Sequence, residues 1–388
     1  MAVVYTPKEK RNIIIRIVLV VAVLLVAGFL LVFGLSKMKT KPGFTEITAD
    51  YSNISYASYS YKLSYYVDDT DGSISKTQTN LTKLYSETID KAYQLTDSSN
   101  DYTDVYNIKY INQNPNTDIE LDENLYNLLE KISNYDSNLL YIGGIYEYWD
   151  SVLYKSSSKE QELLDPLNNE ANKKMIDDYI SSYSGNISLN FLGNNKINLY
   201  VSDSYTKAYE GAPYIGINLF KEAFIMDYVR DVFYKAGYRN GYMISDNGFV
   251  VNFGMSSDNV VKISQLSNYY GTEGNAYNMS SYQVTGQSYI NYLGFKYSTS
   301  APVYSITFND QNIYRTRYVN PSTGYPDFES ESLLIYKNDT LVNTLISLYD
   351  YFIQNNKFDI SYIDLGYDGI IHTNVSDYTC TRYEVVYD

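Results

Sequence analysis

The sequence predicts an α+β protein: a mixed, largely antiparallel sheet with helices packed on it, preceded by one membrane-crossing helix. Three observations lead there. Four stretches carry apolar residues at the three-and-four spacing of a helix face. Blocks rich in aromatic and β-branched residues lie between and after them without regular strand–helix–strand alternation, which argues against a doubly wound parallel sheet. Near the N-terminus, nineteen residues from Ile17 to Leu35 carry no charge.

Taken with Ile13 to Ile15, that apolar run reaches the roughly 20 residues needed to cross a bilayer. Lys8, Lys10, Arg11 and Arg16 precede it and Lys37, Lys39 and Lys41 follow, a slight excess that favours a cytoplasmic N-terminus. The exit Phe33-Gly34-Leu35-Ser36-Lys37 lacks a small-residue cleavage pattern, and no cysteine closes the run for lipoprotein processing. The expectation is a cytoplasmic tail at 1–12, an uncleaved signal anchor at 13–35 and a juxtamembrane linker at 36–50. Residues 51–388 then form one extracytoplasmic domain of a single-pass cell-membrane protein. A mean hydropathy of −0.31 excludes a polytopic membrane protein.

Within that domain the first helix is read from Leu81, Leu84, Tyr85, Thr88, Ile89 and Ala92. Asp122 suits the N-cap of a second, which carries Leu125, Leu128, Leu129 and Ile132. A third runs from Leu219 to Ala236, with Gly237 where a left-handed C-cap belongs. The fourth uses Leu341, Thr344, Leu345, Leu348 and Phe352. Strands are expected at Ser58 to Val67, Ile197 to Val201, Phe249 to Phe253, Tyr289 to Tyr297, Val303 to Phe308 and Leu333 to Tyr336.

Composition narrows the chemistry. A net charge of −15 leaves no basic face for a phosphate backbone, so nucleic acid is excluded as a partner. One cysteine, Cys380, rules out an intrachain disulfide and thiolate metal sites. One histidine, His372, rules out multi-histidine metal centres. It lies in a strand-like run with no nucleophile motif near it, so Ser/His/Asp catalysis is not proposed. Asp118, Glu120, Asp122 and Glu123 read as a solvated helix entrance, where carboxylates suit the macrodipole. Gly143-Gly144 reads as a turn. The 47 tyrosines, against 14 phenylalanines, read mainly as half-buried sheet positions with wet hydroxyls, and secondarily as a stacking surface for a planar ligand or sugar.

One segment is more specific. Arg317-Tyr318-Val319-Asn320-Pro321-Ser322-Thr323-Gly324-Tyr325-Pro326 is a turn-rich run, and the helix after it carries Asn343 and Ser347 on one face. Here the chain resembles the FAD:protein FMN transferases, the ApbE-type family, whose signature reads His-Ile-Ile-Asp-Pro-Arg-Thr-Gly, followed by a strand and a helix with Asp and Thr at that spacing. The resemblance extends in order through Tyr59 to Val67, Asp122 to Ile132, Tyr141 to Trp149, Ile215-Gly216 through Lys221 to Asp227, and Ala236 through Asn247 and Gly248 to Gly254.

The resemblance implies a fold, two ligands and a set of site residues. Members cut the pyrophosphate of FAD with Mg²⁺ and attach FMN to a Thr or Ser of an acceptor protein, an extracytoplasmic redox protein being the natural partner. Carried over, Arg317 and Asn320 are the catalytic candidates. Lys221, Glu222, Asn247, Gly248, Thr323 and Gly324 are the FAD-binding candidates, and Asn343, Ser347 and a carbonyl near Phe224 the Mg²⁺ ligands. The departures fall on the same positions: Arg317 stands for the motif His, Asn320 for Asp, Ser322 for Arg, Asn343 for the helical Asp, and Glu222 for the Gly after Lys. An amide keeps an oxygen but loses the charge that a hard cation prefers. Two expectations therefore stand side by side, a membrane-tethered flavin transferase and a non-catalytic relative that binds flavin or a protein partner. A tyrosine-rich sugar-binding or adhesion protein is a distant third.

Overall fold

The computed structural model describes residues 42–50, 61–68, 73–155, 157–254, 260–270, 276–285, 288–293, 304–308, 311–326, 332–354, 369–373 and 378–380. The apolar stretch 13–35 lies outside them. Among the described residues, no helix is long and apolar enough to cross a membrane. The chain divides into two compact units. Tyr66–Thr79 group with the chain up to Gly43 and hold the end of one strand and the first turns of one helix. Phe44–Tyr65 and Asn80–Asp388 form the other unit, which contains every site residue argued below.

In chain order the strands are β1 (Gly43–Ile47), β2 (Tyr61–Val67), β3 (Asp118–Glu120), β4 (Ile187–Gly193), β5 (Lys196–Val201), β6 (Gly241–Ser245), β7 (Phe249–Asn252), β8 (Val260–Tyr270), β9 (Ala276–Thr285), β10 (Ser288–Leu293), β11 (Tyr304–Phe308), β12 (Gln311–Arg315), β13 (Ser332–Lys337), β14 (Gly369–Thr373) and β15 (Tyr378–Cys380). Eight of them form one sheet in the order β1-β2-β6-β7-β10-β13-β14-β15. From β2 to β15 each neighbouring pair in it is antiparallel, as the sequence leads one to expect. A three-stranded sheet, β3-β5-β4, and two hairpins, β8–β9 and β11–β12, complete the strands. Residues 43–47, expected in the linker, are the edge strand of the large sheet.

The helices are α1 (Ile74–Thr96), α2 (Ile108–Gln113), α3 (Glu123–Asp136), α4 (Asn138–Tyr141), α5 (Gly143–Leu153), α6 (Ser158–Leu164), α7 (Glu170–Ser182), α8 (Asp203–Ala208), α9 (Leu219–Lys235) and α10 (Leu341–Gln354). The four long periodic stretches are α1, α3, α9 and α10. Asp122 caps α3, its side chain accepting from Asn124 N–H. Gly237 follows α9 at φ +90°, with Tyr238 N–H donating to the Phe233 carbonyl, so the left-handed stop is there for the reason read from the sequence. The core lies where α9 and α10 pack on each other and on β7, β10 and β13. It contains Phe220, Ile225, Val229, Phe233, Leu345 and Leu348, with the Phe220 and Tyr349 rings stacked at 5.6 Å.

Three readings change. Asp118 and Glu120 lie on β3 and pair with β5, so only Asp122 and Glu123 belong to the helix entrance. The Gly143-Gly144 pair opens α5 instead of forming a turn, because what these positions need is closeness. A Cβ on Gly143 would sit 2.6 Å from the Ile215 carbonyl carbon, and one on Gly144 2.8 Å from the Tyr179 ring. Many tyrosines are core residues, not half-wet sheet positions. Tyr85, Tyr146, Tyr179, Tyr205, Tyr336 and Tyr349 are all buried. Tyr146 satisfies its hydroxyl by donating to the Leu139 carbonyl at 2.8 Å, and Tyr179 donates to that of Pro213 at 3.1 Å.

Candidate functional site

A cavity of about 1220 Å³ opens in front of the first turn of α9, which contributes Lys221 and Glu222. The end of α1 supplies Tyr93, α5 supplies Asp150, the β6–β7 turn supplies Asn247, and the segment after β12 supplies Arg317. One wall is the chain from Gly211 to Asn218. The Asn112 side chain fixes it by pairing with Ile215 as a strand neighbour would, accepting from its N–H and donating to its carbonyl, both at 2.9 Å. Gly216 N–H donates to the Leu140 carbonyl at 2.9 Å. The wall ends at Asn218, which adopts φ 38°, ψ −123° and donates through Nδ2 to the Arg317 carbonyl at 2.7 Å.

Lys221 and Glu222 are neighbours in sequence but point to different parts of the cavity. The Lys221 ammonium lies 4.0 Å over the Tyr93 ring. Burial lowers its pKa, against the attraction of Asp97 and with help from the like charge of Arg317. The Glu222 carboxylate accepts from Asn247 Nδ2, and Arg317 Nη1 is 3.9 Å from the same oxygen. Its other oxygen, Oε1, is buried without a hydrogen-bond partner. Burial raises the Glu222 pKa while Arg317 opposes the rise. Arg317 also faces Asp150, with Nε 3.4 Å from Oδ1. Burial disfavours the Arg317 charge, and Asp150, Tyr154 and Glu222 outweigh it.

The segment carrying Arg317 is clamped from behind. Arg315 makes a fully buried two-point contact with Asp165, at 2.9 and 3.2 Å, and its guanidinium lies over the Trp149 ring. Trp149 Nε1 donates to the Gly324 carbonyl at 2.7 Å. Gly324 has φ +76° and packs on Ile176 and Ile180, where a Cβ would sit at 2.8 and 2.9 Å. The turn closes on itself: Asn320 Oδ1 accepts from Ser322 N–H, and Thr323 Oγ1 from Tyr325 N–H.

Of the residues expected at the site, Lys221, Glu222, Asn247 and Arg317 line this cavity. Gly248, at φ +79°, shapes the β6–β7 turn beside it. Asn320, Thr323 and Gly324 build the turn and its clamp and are not among the lining residues. Phe224, Asn343 and Ser347 lie apart from it as well. Phe224 is inside α9, where the helical ladder takes its carbonyl. Asn343 directs its NH₂ to Asp339 at 2.7 Å. Ser347 is buried, donates to the Asn343 carbonyl and accepts from the Lys337 ammonium at 3.2 Å. A set of one amide, one hydroxyl and one helical carbonyl, already holding an ammonium, does not fit Mg²⁺, which proteins usually hold through one or two carboxylates in octahedral order. Among the described residues no group of three or more His, Cys, Asp or Glu is placed to hold a metal ion. Asn112, Asp150 and Tyr93 carry no local sequence signal, because their roles exist only across long stretches of chain.

No protein-family model matches the sequence, and no curated protein matches it by sequence. The ApbE protein of Thermotoga maritima superposes on 85% of this chain and 94% of its own length, with a TM-score of 0.55 at 13% identity. The chain has the ApbE fold. The flavin transferase ApbE from Vibrio cholerae, in mutant form, matches 83% of this chain and 92% of its own, with a TM-score of 0.47 at 8% identity. In this ApbE-like fold the cavity is bounded by α9 and the large sheet's β6–β7 turn, and Asp227 ties α9 to α10 by accepting from Leu341 and Val342 N–H at 2.8 and 2.9 Å.

Proposed function

We propose that this chain binds a flavin nucleotide in the cavity at the start of α9 and does so without magnesium-dependent flavin transfer. The observation that carries the reading is the convergence of Lys221, Glu222, Asn247 and Arg317 on one cavity within an ApbE-like fold. The volume, about 1220 Å³, exceeds what a drug-sized ligand needs. Tyr93 and Tyr154 offer ring surface for a planar group. Lys221 and the helix start offer positive potential for phosphate. The uncharged donor set at Asn343 and Ser347 argues against magnesium-dependent transfer. In the same reading residues 13–35 hold the domain at the outer face of a cell membrane, and its protein partner is a redox protein that receives or lends flavin.

The test uses the full chain in detergent, titrated with FAD and FMN by quenching of flavin fluorescence. The same chain is then incubated with FAD, Mg²⁺ and an acceptor domain and run on a denaturing gel. Binding without a covalently fluorescent acceptor is expected. A labelled acceptor favours the transferase instead, and absence of binding ends the flavin reading. Membrane fractionation of the full chain and of a deletion of 13–35 tests the tether.

A further inference from the structure

An antiparallel sheet with one face in water alternates apolar residues inward with polar residues outward. One part of the large sheet departs from that pattern. On β2 and β6 the inward positions Leu63, Tyr65, Met243 and Ser245 are buried, and the residues between them point to the other face. There, Phe44 of β1 is 63% exposed and Ile244 of β6 37% exposed. Tyr242, two residues before Ile244 on the same strand, brings its ring to 5.7 Å from that of Phe44. Lys62 stands opposite Ile244, and Ser64 opposite Tyr242. On β7 every residue from Phe249 to Asn252 is buried, so the open part of the sheet ends at β6. Chain connectivity says what lies against it. Seven residues, 36–42, separate the apolar run 13–35 from β1, and fully extended they reach about 25 Å. Three of them are Lys37, Lys39 and Lys41, and no acidic residue occurs between Arg16 and Glu46. In a chain of net charge −15 this stretch is a local exception, and lysines beside a membrane span are drawn to anionic headgroups. The linker therefore stays at the lipid surface, and β1 begins there. Other exposed large apolar side chains, such as Leu163 of α6 and Leu192 of β4, have no such tether beside them.

We infer that the outer face of β1, β2 and β6 rests on the bilayer that residues 13–35 cross, with Phe44, Tyr242 and Ile244 entering the headgroup region and Lys62 extending to lipid phosphate, an inference that rests on the anchor reading above. Apolar side chains that adjoin on neighbouring strands mark a contact surface, whereas scattered ones do not. A tyrosine ring suits the membrane interface because its body is apolar and its hydroxyl stays wet. A lysine does the same with a long apolar stem and a charged head. The exposed Glu46 limits the contact to the end of β1 nearest the tether. Asn247, which lines the cavity, follows Ile244 by three residues, so this rim of the cavity stays within about 10 Å of the patch. The docked face thus presents the cavity to a partner protein held in the same membrane.

The full chain is placed in vesicles of phosphatidylcholine and phosphatidylglycerol whose acyl chains carry bromine near the headgroup end, a contact quencher of tryptophan. Trp149 is buried and supplies a constant background. Phe44→Trp and Ile244→Trp are expected to lose emission in brominated relative to plain vesicles, whereas Leu192→Trp, at an exposed position on β4, keeps its emission. All three substitutions fall on exposed positions, and near-ultraviolet circular dichroism checks that each variant folds. A Trp at 44 that bromine does not quench overturns this inference and leaves the anchor standing, provided the full chain floats with the vesicles and the deletion of 13–35 releases it. Shielding of that Trp from aqueous iodide without quenching by bromine assigns the face to a second copy or another protein, and likewise overturns it. A full chain that does not float with the vesicles overturns both.

Discussion

Asn218 holds a backbone conformation that glycine adopts freely and other residues resist, and it does so at the point where the cavity wall joins α9. Its side chain offsets the strain by holding the Arg317 carbonyl. Asn218→Ala keeps the strain and loses the bond, at a cost of about 1–3 kcal/mol by urea denaturation, whereas Asn218→Gly stays within about 1 kcal/mol of the parent. Asp227 gives a second residue-scale prediction. Burial pushes its pKa up to about 6 from an ordinary 3.8, with Arg230 and the two α10 amides opposing. The folded state thus binds the proton more tightly than the unfolded one. The stability from this group is full below about pH 4 and is lost as pH rises through 6, by about 3 kcal/mol. Urea midpoints measured from pH 4 to 7 are expected to fall by this step relative to Asp227→Asn, which lacks it. In the sequence, Lys221 and Glu222 could be found only through the resemblance of Ile215-Gly216 through Lys221 to the family's lysine-containing loop. Asn112 could not, since its task is to pair with the backbone of Ile215, 103 positions away.

Among the elements, α5 is one of six helices, with α2, α4, α6, α7 and α8, that the sequence concealed. Its wet positions, Glu147 and Ser151, are few beside the buried Ile145, Tyr146, Trp149 and Val152, and its opening Gly143-Gly144 reads as a turn. The long helices α1 and α3, each with one wet face, were legible for the opposite reason, and the large sheet was legible as antiparallel from the lack of regular strand–helix–strand alternation, although α1 to α9 lie between β2 and β6. The site was partly legible. Four expected residues meet in the cavity, while the turn residues Asn320, Thr323 and Gly324 serve the clamp behind it. Gly143→Ala drives a methyl into the Pro213–Ile215 backbone, so it is expected to destabilise the fold by several kcal/mol, on the order of a buried overpacking defect, and to abolish ligand binding. Asp165→Ala removes the two-point partner of buried Arg315 at a cost of about 3–5 kcal/mol in thermal or urea unfolding. Adding Arg315→Met recovers most of that loss, because the uncompensated charge leaves with it.

At the scale of the whole molecule, the net charge of −15 sets a field that repels an anionic ligand before Lys221 can attract it. Added salt screens that repulsion, since the Debye length shrinks from about 30 Å at 0.01 M to about 8 Å at 0.15 M. Stopped-flow association of FMN is therefore expected to quicken between these ionic strengths, the reverse of what a basic pocket gives. The cavity is also joined from distant parts of the chain: Asn112 to Ile215, Asn218 to Arg317 across 99 positions, Asp165 to Arg315 across 150, and Trp149 to Gly324 across 175. Closures of that length carry a large loop-entropy cost and slow folding. During synthesis the pocket cannot exist until Arg317 and its turn have emerged, so a nascent chain meets its ligand only when nearly finished. Anything bound there then acts as a latch on the completed protein, slowing its opening without hastening its formation.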